Sequence, residues 1–336
     1  MVTPNLKSIM HLKMSDNTFY KEKKVLVTGG TGFVGTNFVQ QLLLMEAKVI
    51  VPVHKRKSRI EHRNLTLINA DLQSLEDCIM LCEDIDYIFH AAGTVSAASM
   101  TVQNPMSAIS TNLIITLRIL EAAMIKKVKK VLLFSSGTTG YPKYDFPVKE
   151  EDMFKDPPAD VYFGYGWSRR YTELLGEFVT QKSDVNISIC RPSAVYGRYD
   201  DFDPKTSHVI PALIRRAVEK EKPYVVWGTG DEIRDFIHVK DLVRGCLLLL
   251  EKNKSFDPVN IASGDVITIK EIVDIIIKET KHENAELTFD ETKPTTIPKR
   301  MINVSKANNE LGFNSSINIK EGLQDTIKWY KQEMQK

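Results

Sequence analysis

A glycine-rich turn near the start of the chain constrains the fold more than any other feature of the sequence. Residues 28–35 read TGGTGFVG; they follow the short apolar strand Val25–Thr28 and precede the predicted helix Asn37–Met45. Glycine lets a backbone turn tightly beside a pyrophosphate, and the amino end of a helix presents free N–H groups and a positive dipole to it. The order of strand, glycines and helix therefore predicts a dinucleotide-binding turn formed by Gly29, Thr31, Gly32, Phe33, Val34 and Gly35.

Apolar, β-branched runs alternate with helical patterns along most of the chain. This alternation is typical of an α/β fold, here a Rossmann-type, doubly wound parallel sheet with helices on both faces. The predicted helices after the first are Leu75–Cys82 and Pro105–Lys127. The predicted strands after the first are Val49–Val53, Leu65–Asn69, Tyr87–His90, Val131–Ser135, Ile187–Arg191 and Val259–Ile261.

The pattern changes after the first 190 residues and predicts a second, smaller unit. We expect a flexible leader over residues 1–23 and a dinucleotide-binding domain over residues 24–190, to which residues 235–263 return. Residues 191–234 and 264–336 then form a smaller, interleaved α/β substrate-binding domain over the carboxyl edge of the sheet, where ligands bind in open α/β folds. Its predicted elements are helices at His208–Glu219, Ile269–Glu279 and Gly322–Lys336, with an irregular stretch at Glu286–Pro298.

Composition and charge exclude several classes of partner. Lys and Arg together number 45 against 43 Asp and Glu, a net charge of +2, so no basic field would recruit nucleic acid. The longest purely apolar run, Cys246–Leu250, is too short to span a bilayer, and the polar start carries no secretory signal. We therefore expect a cytoplasmic protein without nucleic-acid or membrane partners. We also expect no metal site, and four reduced, buried thiols at Cys78, Cys82, Cys190 and Cys246.

The segment after the second predicted strand bears on the choice of cofactor. An acidic residue there often binds the adenosine ribose of NAD, but this chain has the basic residues His54, Lys55 and Arg56. Cations suit a 2′-phosphate, so NADP is favoured over NAD, although a solvated basic loop would have the same composition. Asp71, after the third strand, could hydrogen-bond to the adenine amino group.

Motifs beyond the glycine turn point to a known family. They are His90-Ala91-Ala92-Gly93 after the fourth strand, Asn112 in the long helix, Ser135-Ser136 after the fifth strand, Tyr165 in the sequence YGWSR, and Arg191-Pro192-Ser193. From about Lys24 to its end, the chain resembles the extended short-chain dehydrogenase/reductases, a family of nucleotide-sugar epimerases, dehydratases and reductases. The resemblance implies further cofactor contacts from Leu72, Ala91, Ala92, Gly93, Asn112, Ser135, Arg191 and Pro192.

Within that family the second half of the chain is similar to the GDP-L-fucose synthase branch. The matching stretches are residues 207–216, 225–228, 234–239 and 292–294. The likeness implies a GDP-sugar substrate whose base lies between Val226 and Trp227, with Val209 as a further contact. It implies that Arg234 and Arg300 hold the pyrophosphate, whose oxygens a planar guanidinium matches. The alternative roles are a surface salt bridge for each arginine and core packing for Trp227.

Two predicted helices bear on assembly. Pro105–Lys127 and Tyr162–Gln181 correspond to the pair that members of the family pack into a four-helix dimer interface. The resemblance therefore implies a homodimer.

The catalytic pattern of the family joins a Tyr to a Lys four residues later and to a Ser or Thr hydroxyl. Tyr165 matches the Tyr, but Arg169 takes the place of the Lys. Residues four apart share a helix face, so the cation would still lie beside the phenol and lower its pKa from the ordinary value of about 10. Gly137 occupies the hydroxyl position, and either Ser136 or Thr138 could supply the hydroxyl instead.

Absent groups narrow the expected reaction. The dehydratases of the family carry an Asp-Glu pair after the catalytic Thr, where this chain has Thr138-Thr139, and the fucose synthases carry an epimerising Cys and His that align with Thr139 and Tyr199. What remains is hydride transfer at C4 of the sugar, as keto-sugar reduction, C4 oxidation or 4-epimerisation. The alternative is a non-catalytic, dinucleotide-binding redox sensor or scaffold, which would explain Gly137 and Arg169.

Overall fold

The computed structural model describes residues 18–94, 105–293 and 296–335. Within these ranges it contains a seven-stranded sheet, a separate four-stranded sheet and a two-stranded pair. The strands, in chain order, are β1 Lys24–Thr28, β2 Lys48–Val53, β3 Leu65–Asn69, β4 Tyr87–His90, β5 Lys130–Phe134, β6 Asn186–Pro192, β7 Ala194–Tyr196, β8 Tyr224–Trp227, β9 Ile233–His238, β10 Val259–Ile261, β11 Val266–Thr268, β12 Leu287–Asp290 and β13 Lys299–Arg300.

The large sheet has the strand order β10-β6-β5-β4-β1-β2-β3, and all neighbouring strands are parallel. β4 is buried along its whole length, as strands covered on both faces are. The chain order reverses at β1, which lies between β2 and β4, so a ligand crevice is expected at the carboxyl ends of these strands. The predicted doubly wound parallel sheet is confirmed.

Helices cover both faces of this sheet. The helices of the described residues are α1 Phe33–Leu44, α2 Leu75–Leu81, α3 Pro105–Lys126, α4 Phe163–Lys182, α5 Val209–Val218, α6 Val239–Lys252, α7 Ile269–Thr280 and α8 Ile319–Glu333. On one face α1 and α6 pack around a core that includes Phe38 and Leu247. On the other face α2, α3 and α4 pack around Leu81, Ile119 and Val179.

A second unit is built on β7, β9, β11 and β13 and on the pair formed by β8 and β12. Its helices α5, α7 and α8 surround a core of their own that includes Ile214, Tyr224, Ile272 and Leu323. Because β9 pairs with β7, β11 and β13, the predicted return of residues 235–263 to the large sheet holds only from α6 onward.

The stretch Glu286–Pro298, predicted to be irregular, contains a strand. β12 pairs in parallel with β8, and its alternate residues Leu287 and Phe289 pack against the core of the second unit. The prediction was wrong because the apolar–polar alternation of this strand is only four residues long and is followed directly by a stretch rich in Pro and Thr.

The predicted flexible leader is too long at its inner end. Residues 1–17 lie outside the described residues, but Phe19 and Tyr20 belong to the core that α1 and α6 form with the sheet. The ring of Phe19 stacks on Tyr87 with centroids 4.8 Å apart, and the Tyr20 hydroxyl donates to the Leu247 carbonyl at 2.8 Å. Two large aromatic side chains gain too much from burial to stay in solvent, so residues 18–23 belong to the folded domain.

α3 bears on the expectation that no segment could span a membrane. Its residues 108–126 are long and apolar enough to do so by composition, with a mean hydropathy of 1.5. That criterion is also met by core helices of soluble proteins, and α3 packs against α2 and α4 and buries the polar side chains of Asn112 and Thr116. The structure therefore describes it as a helix of the core of this domain.

Candidate active site

The glycine turn forms a cradle made only of backbone. Gly29 has a left-handed φ of +69°, and a Cβ there would lie 2.7 Å from the carbonyl oxygen of Ala91. A Cβ on Gly35 would lie 2.0 Å from the carbonyl oxygen of Gly29, so α1 packs directly on the turn. Gly32 is the N-cap of α1, and the first turn has neither a capping side chain nor an acidic residue. A cradle that a Cβ would fill, at the unneutralised end of a helix, fits a dinucleotide pyrophosphate.

The other residues predicted along the adenosine side lie at the carboxyl ends of β2 and β3. His54, Lys55 and Arg56 are exposed after β2. The Asp71 carboxylate accepts a hydrogen bond from the N–H of Gln73 at 2.9 Å and so also shapes its own turn. Leu72 packs partly against the core below α2. Thr31, Phe33 and Val34 are half-buried on the glycine turn itself.

The segment after β4 is held in place by hydrogen bonds to Thr28 and to Asn112. The N–H of Ala92 donates to the Thr28 hydroxyl at 3.2 Å. The side chain of Asn112 clamps Thr94, accepting from its N–H at 2.7 Å and donating to its carbonyl at 3.0 Å. Asn112 is buried and also lies against Gly93, where a Cβ would be 3.3 Å from its amide oxygen. Its position is that of a residue that shapes the segment, not of one that reaches into the crevice.

His90, to which the sequence assigned no role, lies beneath this segment. Its two ring nitrogens contact the hydroxyls of Thr28 at 2.9 Å and Thr116 at 3.2 Å. Burial lowers the pKa of His90 to about 4, and the charge of Arg169 acts in the same direction. The ring is therefore neutral at physiological pH.

Tyr165 and Arg169 lie together in the first two turns of α4. Arg169 donates a hydrogen bond to the Tyr165 hydroxyl, and its guanidinium carbon lies 4.7 Å from the centre of the ring. A Cβ on Gly166 would lie 2.5 Å from the carbonyl oxygen of Thr139, so α4 packs closely on the turn that follows β5. The Ser135 hydroxyl donates to the Arg169 carbonyl at 3.4 Å. The pairing of phenol and cation that the spacing predicted is present.

The turn after β5 explains the glycine at the hydroxyl position. The N–H of Gly137 donates to the Pro192 carbonyl at 2.9 Å, and a Cβ on Gly137 would lie 2.6 Å from that same oxygen. A side chain at this position would therefore collide with the backbone of β6.

Ser136 and Thr138 differ in what their hydroxyls already do. The oxygen of Ser136 accepts from the N–H of Thr139 at 3.0 Å and from the Thr139 hydroxyl at 2.8 Å. Thr138 makes one hydroxyl contact, to Ser136 at 3.1 Å, and is half-buried. Thr138 consequently has the greater capacity left for a ligand.

Arg191, predicted to bind the cofactor, is engaged elsewhere. Its guanidinium forms a two-point ion pair with Glu173, at 2.9 and 2.6 Å, and donates to the Tyr141 hydroxyl at 3.1 Å and to the Glu150 carbonyl at 2.7 Å. Both members of the pair are buried. Although burial alone would lower it, the charge of Glu173 holds the pKa of Arg191 above its ordinary range. The prediction is wrong for this side chain, which links β6 to α4.

Arg234 and Arg300, predicted to hold the substrate pyrophosphate, lie side by side on β9 and β13. Arg234 donates to the Pro298 carbonyl at 3.0 Å and Arg300 to the Pro142 carbonyl at 2.9 Å. Neither guanidinium forms an ion pair with a carboxylate among the residues that the structure describes. Burial lowers the pKa of Arg300 to about 10, and the charge of Arg234 acts in the same direction. Two adjacent cations with no carboxylate at ion-pair distance form a candidate anion site.

Val226 and Trp227, the two residues predicted to flank the nucleotide base, lie on opposite faces of β8. Trp227, at the end of β8, is exposed, and so is Val209 at the start of α5. Val226 is buried in the core of the second unit. The prediction for Val226 is therefore wrong, because neighbouring residues of a strand point to opposite faces.

Tyr199, aligned by sequence with an epimerising His, faces α1. Its hydroxyl accepts a hydrogen bond from Gln40 at 2.8 Å, and its ring lies 5.2 Å from the Trp329 ring. The Thr139 hydroxyl, aligned with an epimerising Cys, is bonded to Ser136. Neither side chain is directed at Tyr165 by these contacts.

Comparison with known proteins agrees with this geometry. The model of the NAD dependent epimerase/dehydratase family matches residues 25–262. The chain belongs to this family. A probable GDP-L-fucose synthase of Oryza sativa subsp. japonica is 29% identical over 92% of this chain and 92% of its own length. A dTDP-4-dehydro-6-deoxy-D-allose reductase of a Streptomyces species is 27% identical over 92% of this chain and 96% of its own length.

Solved structures of the epimerase/dehydratase family superpose on the whole described fold. The UDP-glucose 4-epimerase of Thermotoga maritima, solved with UDP-glucose, has a TM-score of 0.83 and 25% identity. The alignment covers 93% of this chain and 99% of that one. The relatives thus share an architecture and a class of substrate, the nucleotide-linked sugars, but differ in the nucleotide that their names specify.

Two features that the family pattern did not assign complete the site. Glu173 neutralises Arg191 from two turns further along α4 than Tyr165, and Thr116 contacts His90 from α3. A buried acid and a buried hydroxyl on the inner faces of amphipathic helices are the only signals that could have revealed them. The four cysteines are free and buried, as predicted. In the described parts of the chain, no cluster of three His, Cys, Asp or Glu side chains could hold a metal.

Proposed function

We propose that this member of the family is an NAD(P)-dependent enzyme that transfers hydride at C4 of a nucleotide-linked sugar. The reaction is keto-sugar reduction, C4 oxidation or 4-epimerisation. The observation that carries the proposal is the pairing of Tyr165 with Arg169 on α4, against the turn that follows β5. The non-catalytic alternative was suggested by Arg169 and Gly137. A cation bonded to the phenol and a steric reason for the glycine remove the motive for it.

The chain's own residues account for the proton that accompanies the hydride. When bound, the nicotinamide accepts or supplies the hydride at the sugar carbon. During oxidation Tyr165 takes the proton from the sugar hydroxyl, and during reduction it returns that proton to the oxygen. Arg169 donates to the Tyr165 hydroxyl and so holds it in place for this exchange, and the Thr138 hydroxyl provides a second hydrogen bond to the sugar oxygen. The glycine cradle would hold the pyrophosphate of the dinucleotide.

Removing the Tyr165 hydroxyl tests the reaction. Tyr165→Phe should lower turnover by roughly 10²–10⁴-fold, as the loss of an acid/base group does, while leaving dinucleotide affinity nearly unchanged. Arg169→Lys should preserve or raise activity, since it keeps the charge. Tyr330→Phe, which removes the phenolic hydroxyl of a half-buried residue of α8 in the second unit, is the control.

The products give an independent readout. Turnover in deuterated water, with the product analysed by NMR, separates chemistry confined to C4 from exchange at C3 and C5. Parent-like turnover of Tyr165→Phe, with a substrate that the parent converts, would contradict the assignment.

The substrate nucleotide and the cofactor are proposed as a GDP-sugar and NADP. Support for GDP is the similarity to the fucose synthases and the exposed Trp227 near the end of the second unit's parallel pair. Support for NADP is the run of exposed cations after β2 with no acid among them. Thermal-shift titration with GDP, UDP, CDP and dTDP, and with NADP and NAD, should give the largest shifts for GDP and NADP. Equal shifts among the nucleotides, or NAD binding tenfold tighter, would exclude these choices.

A homodimer is proposed from the outer faces of α3 and α4, which pack side by side in one protomer. Exposed apolar residues recur on both helices, and we call the following set the apolar stripe: Phe163, Trp167, Tyr171, Leu174, Phe178, Ile114, Leu117 and Ile125. Covering eight half-exposed side chains of this size would bury roughly 600 Å² per protomer, close to the ~800 Å² of a standard interface. A second copy related by a two-fold axis supplies such a cover, because it presents the same stripe.

A further inference from the structure

α3 carries two functional faces. Its inner face buries Asn112 and Thr116, which are four residues apart and contact the segment after β4 and His90. Its outer face exposes Ile114, Leu117 and Ile125, the α3 part of the apolar stripe, at 39–53%. One continuous helix therefore contacts both the segment after β4, which packs against Gly29 of the cradle, and the surface on which the second copy is proposed to lie.

The donors and acceptors on the inner face of α3 can be assigned in only one way. The Thr116 hydroxyl donates to the Asn112 carbonyl at 2.7 Å, so its oxygen must accept from Nε2 of His90 at 3.2 Å. The single proton of the neutral imidazole is then on Nε2, and Nδ1 accepts from the Thr28 hydroxyl at 2.9 Å. The Thr28 oxygen in turn accepts from the N–H of Ala92 at 3.2 Å. A continuous series of hydrogen bonds therefore joins α3 to the backbone of Ala92.

We propose that α3 couples the two sites, so that dinucleotide binding strengthens dimer assembly and assembly strengthens dinucleotide binding. This inference rests on the dinucleotide site and the homodimer proposed above.

The physical reason is that ordering α3 is shared between the two events. Contact of the stripe with a second copy fixes the outer face of the helix. The same fixation holds Asn112 against Thr94 and keeps Thr116 aligned with His90, on which the backbone of the cradle depends. A ligand that meets an already ordered cradle loses less conformational entropy on binding. Thermodynamic linkage then requires the reverse effect to be of equal size.

Sedimentation velocity of the full chain tests the coupling through the dimer dissociation constant, measured without cofactor and at saturating NADP or NAD. For the parent, cofactor should lower that constant by about fivefold or more, the lower end of measured couplings. Thr116→Val removes the link between α3 and His90 and should bring the ratio close to one. Thr116→Ser keeps the hydroxyl and should retain the parent ratio. Thr326→Val is the matched control, since this buried hydroxyl in α8 also donates to the carbonyl four residues earlier, at 2.7 Å.

The outcomes separate this inference from the proposals beneath it. A dimer that binds cofactor with no change in its dissociation constant overturns the coupling alone, and so does a parent-like ratio in Thr116→Val. A chain that is monomeric at all concentrations, or that binds neither dinucleotide, overturns the proposed dimer or cofactor and the coupling with it. If the Val variant does not fold, the parent's own ratio still decides the coupling, because a ratio of one overturns it.

Discussion

Two buried arginines, one near the carboxyl end of β6 in the large sheet and one in the four-stranded sheet, have surroundings of opposite kind. Arg191 on β6 faces the carboxylate of Glu173 and donates to two further oxygens. Arg300 on β13 donates to the backbone carbonyls of Pro142 and Tyr141, and Arg234, its neighbour on β9, is another cation. Both were assigned to ligand binding from the same family resemblance, and each is almost completely buried.

The difference lies in the counter-charge. A buried cation is costly unless it is paired, so Arg191 with its carboxylate is complete within the protein. Neither Arg300 nor Arg234 has a carboxylate within ion-pair distance among the described residues, and the pKa of Arg300 falls to about 10 because burial and the second cation disfavour its charge. An arriving diphosphate would supply the missing charge. Burial and residue type alone do not separate a structural arginine from a ligand-binding one; the partner does.

The largest effect on stability is expected from breaking the compensated pair. Glu173→Gln removes the charge opposite Arg191 and should lower the free energy of unfolding by about 3–5 kcal/mol, because a buried cation is left unpaired. Urea denaturation measures this change. Glu177→Gln, one turn further along α4 and half-buried, is the control and should change the free energy by less than about 1 kcal/mol.

A parent-like stability of Glu173→Gln would mean that Arg191 does not depend on its carboxylate. The presence or absence of a carboxylate partner would then not explain the difference between Arg191 and Arg300.

A substitution in the pair formed by Arg300 and Arg234 should affect ligand affinity more than stability. Arg300→Met removes a cation that has no carboxylate partner, so the free energy of unfolding should fall by less than it does in Glu173→Gln. The affinity for a nucleoside diphosphate should fall by about 10–100-fold, since hydrogen bonds to charged groups contribute about 1.5–3 kcal/mol. Calorimetric titration with GDP and UDP, beside the same titration of Arg191→Met, measures the contrast. Unchanged affinity together with a large loss of stability would assign Arg300 a structural role.

Local signals in the sequence were sufficient to predict the main features of the dinucleotide-binding domain. The glycine turn, the seven strands and the spacing of Tyr165 and Arg169 each involve residues within a few positions of one another, and the structure contains all of them. These features depend on local sterics and on hydrophobic periodicity, which a single sequence displays directly.

Contacts between distant residues were the ones that sequence could not supply. The pairing of Arg191 with Glu173 joins a strand to a helix 18 positions earlier. The choice between Val226 and Trp227 depends on which face of β8 meets the second core, and that is set by the packing of α5 and α7. Tyr20 is buried because its partner, Leu247, lies 227 positions away. Each of these errors concerns a tertiary partner rather than a residue's own preference.

A third buried charge, of opposite sign, extends the comparison and gives the smallest effect. Asp200, in the loop after β7, is buried with one carboxylate oxygen accepting from the N–H of Asp201 at 2.8 Å and the other without a partner in the described structure. Unlike an arginine, an uncompensated carboxyl can discharge, and burial raises the pKa of Asp200 to about 8. The folded state therefore holds a proton that the unfolded chain, with an ordinary Asp pKa of about 3.9, releases. Between these two values the folded state binds more protons, so this group lowers stability progressively as the pH rises from about 4 to about 8.

Asp200→Asn mimics the protonated acid and should raise Tm by about 2 °C or more at pH 8.5, with almost no gain near pH 4. Differential scanning calorimetry across this range, with the exposed Asp145→Asn as control, measures the effect. A gain that is the same at both pH values would show that Asp200 is not the group that takes up the proton.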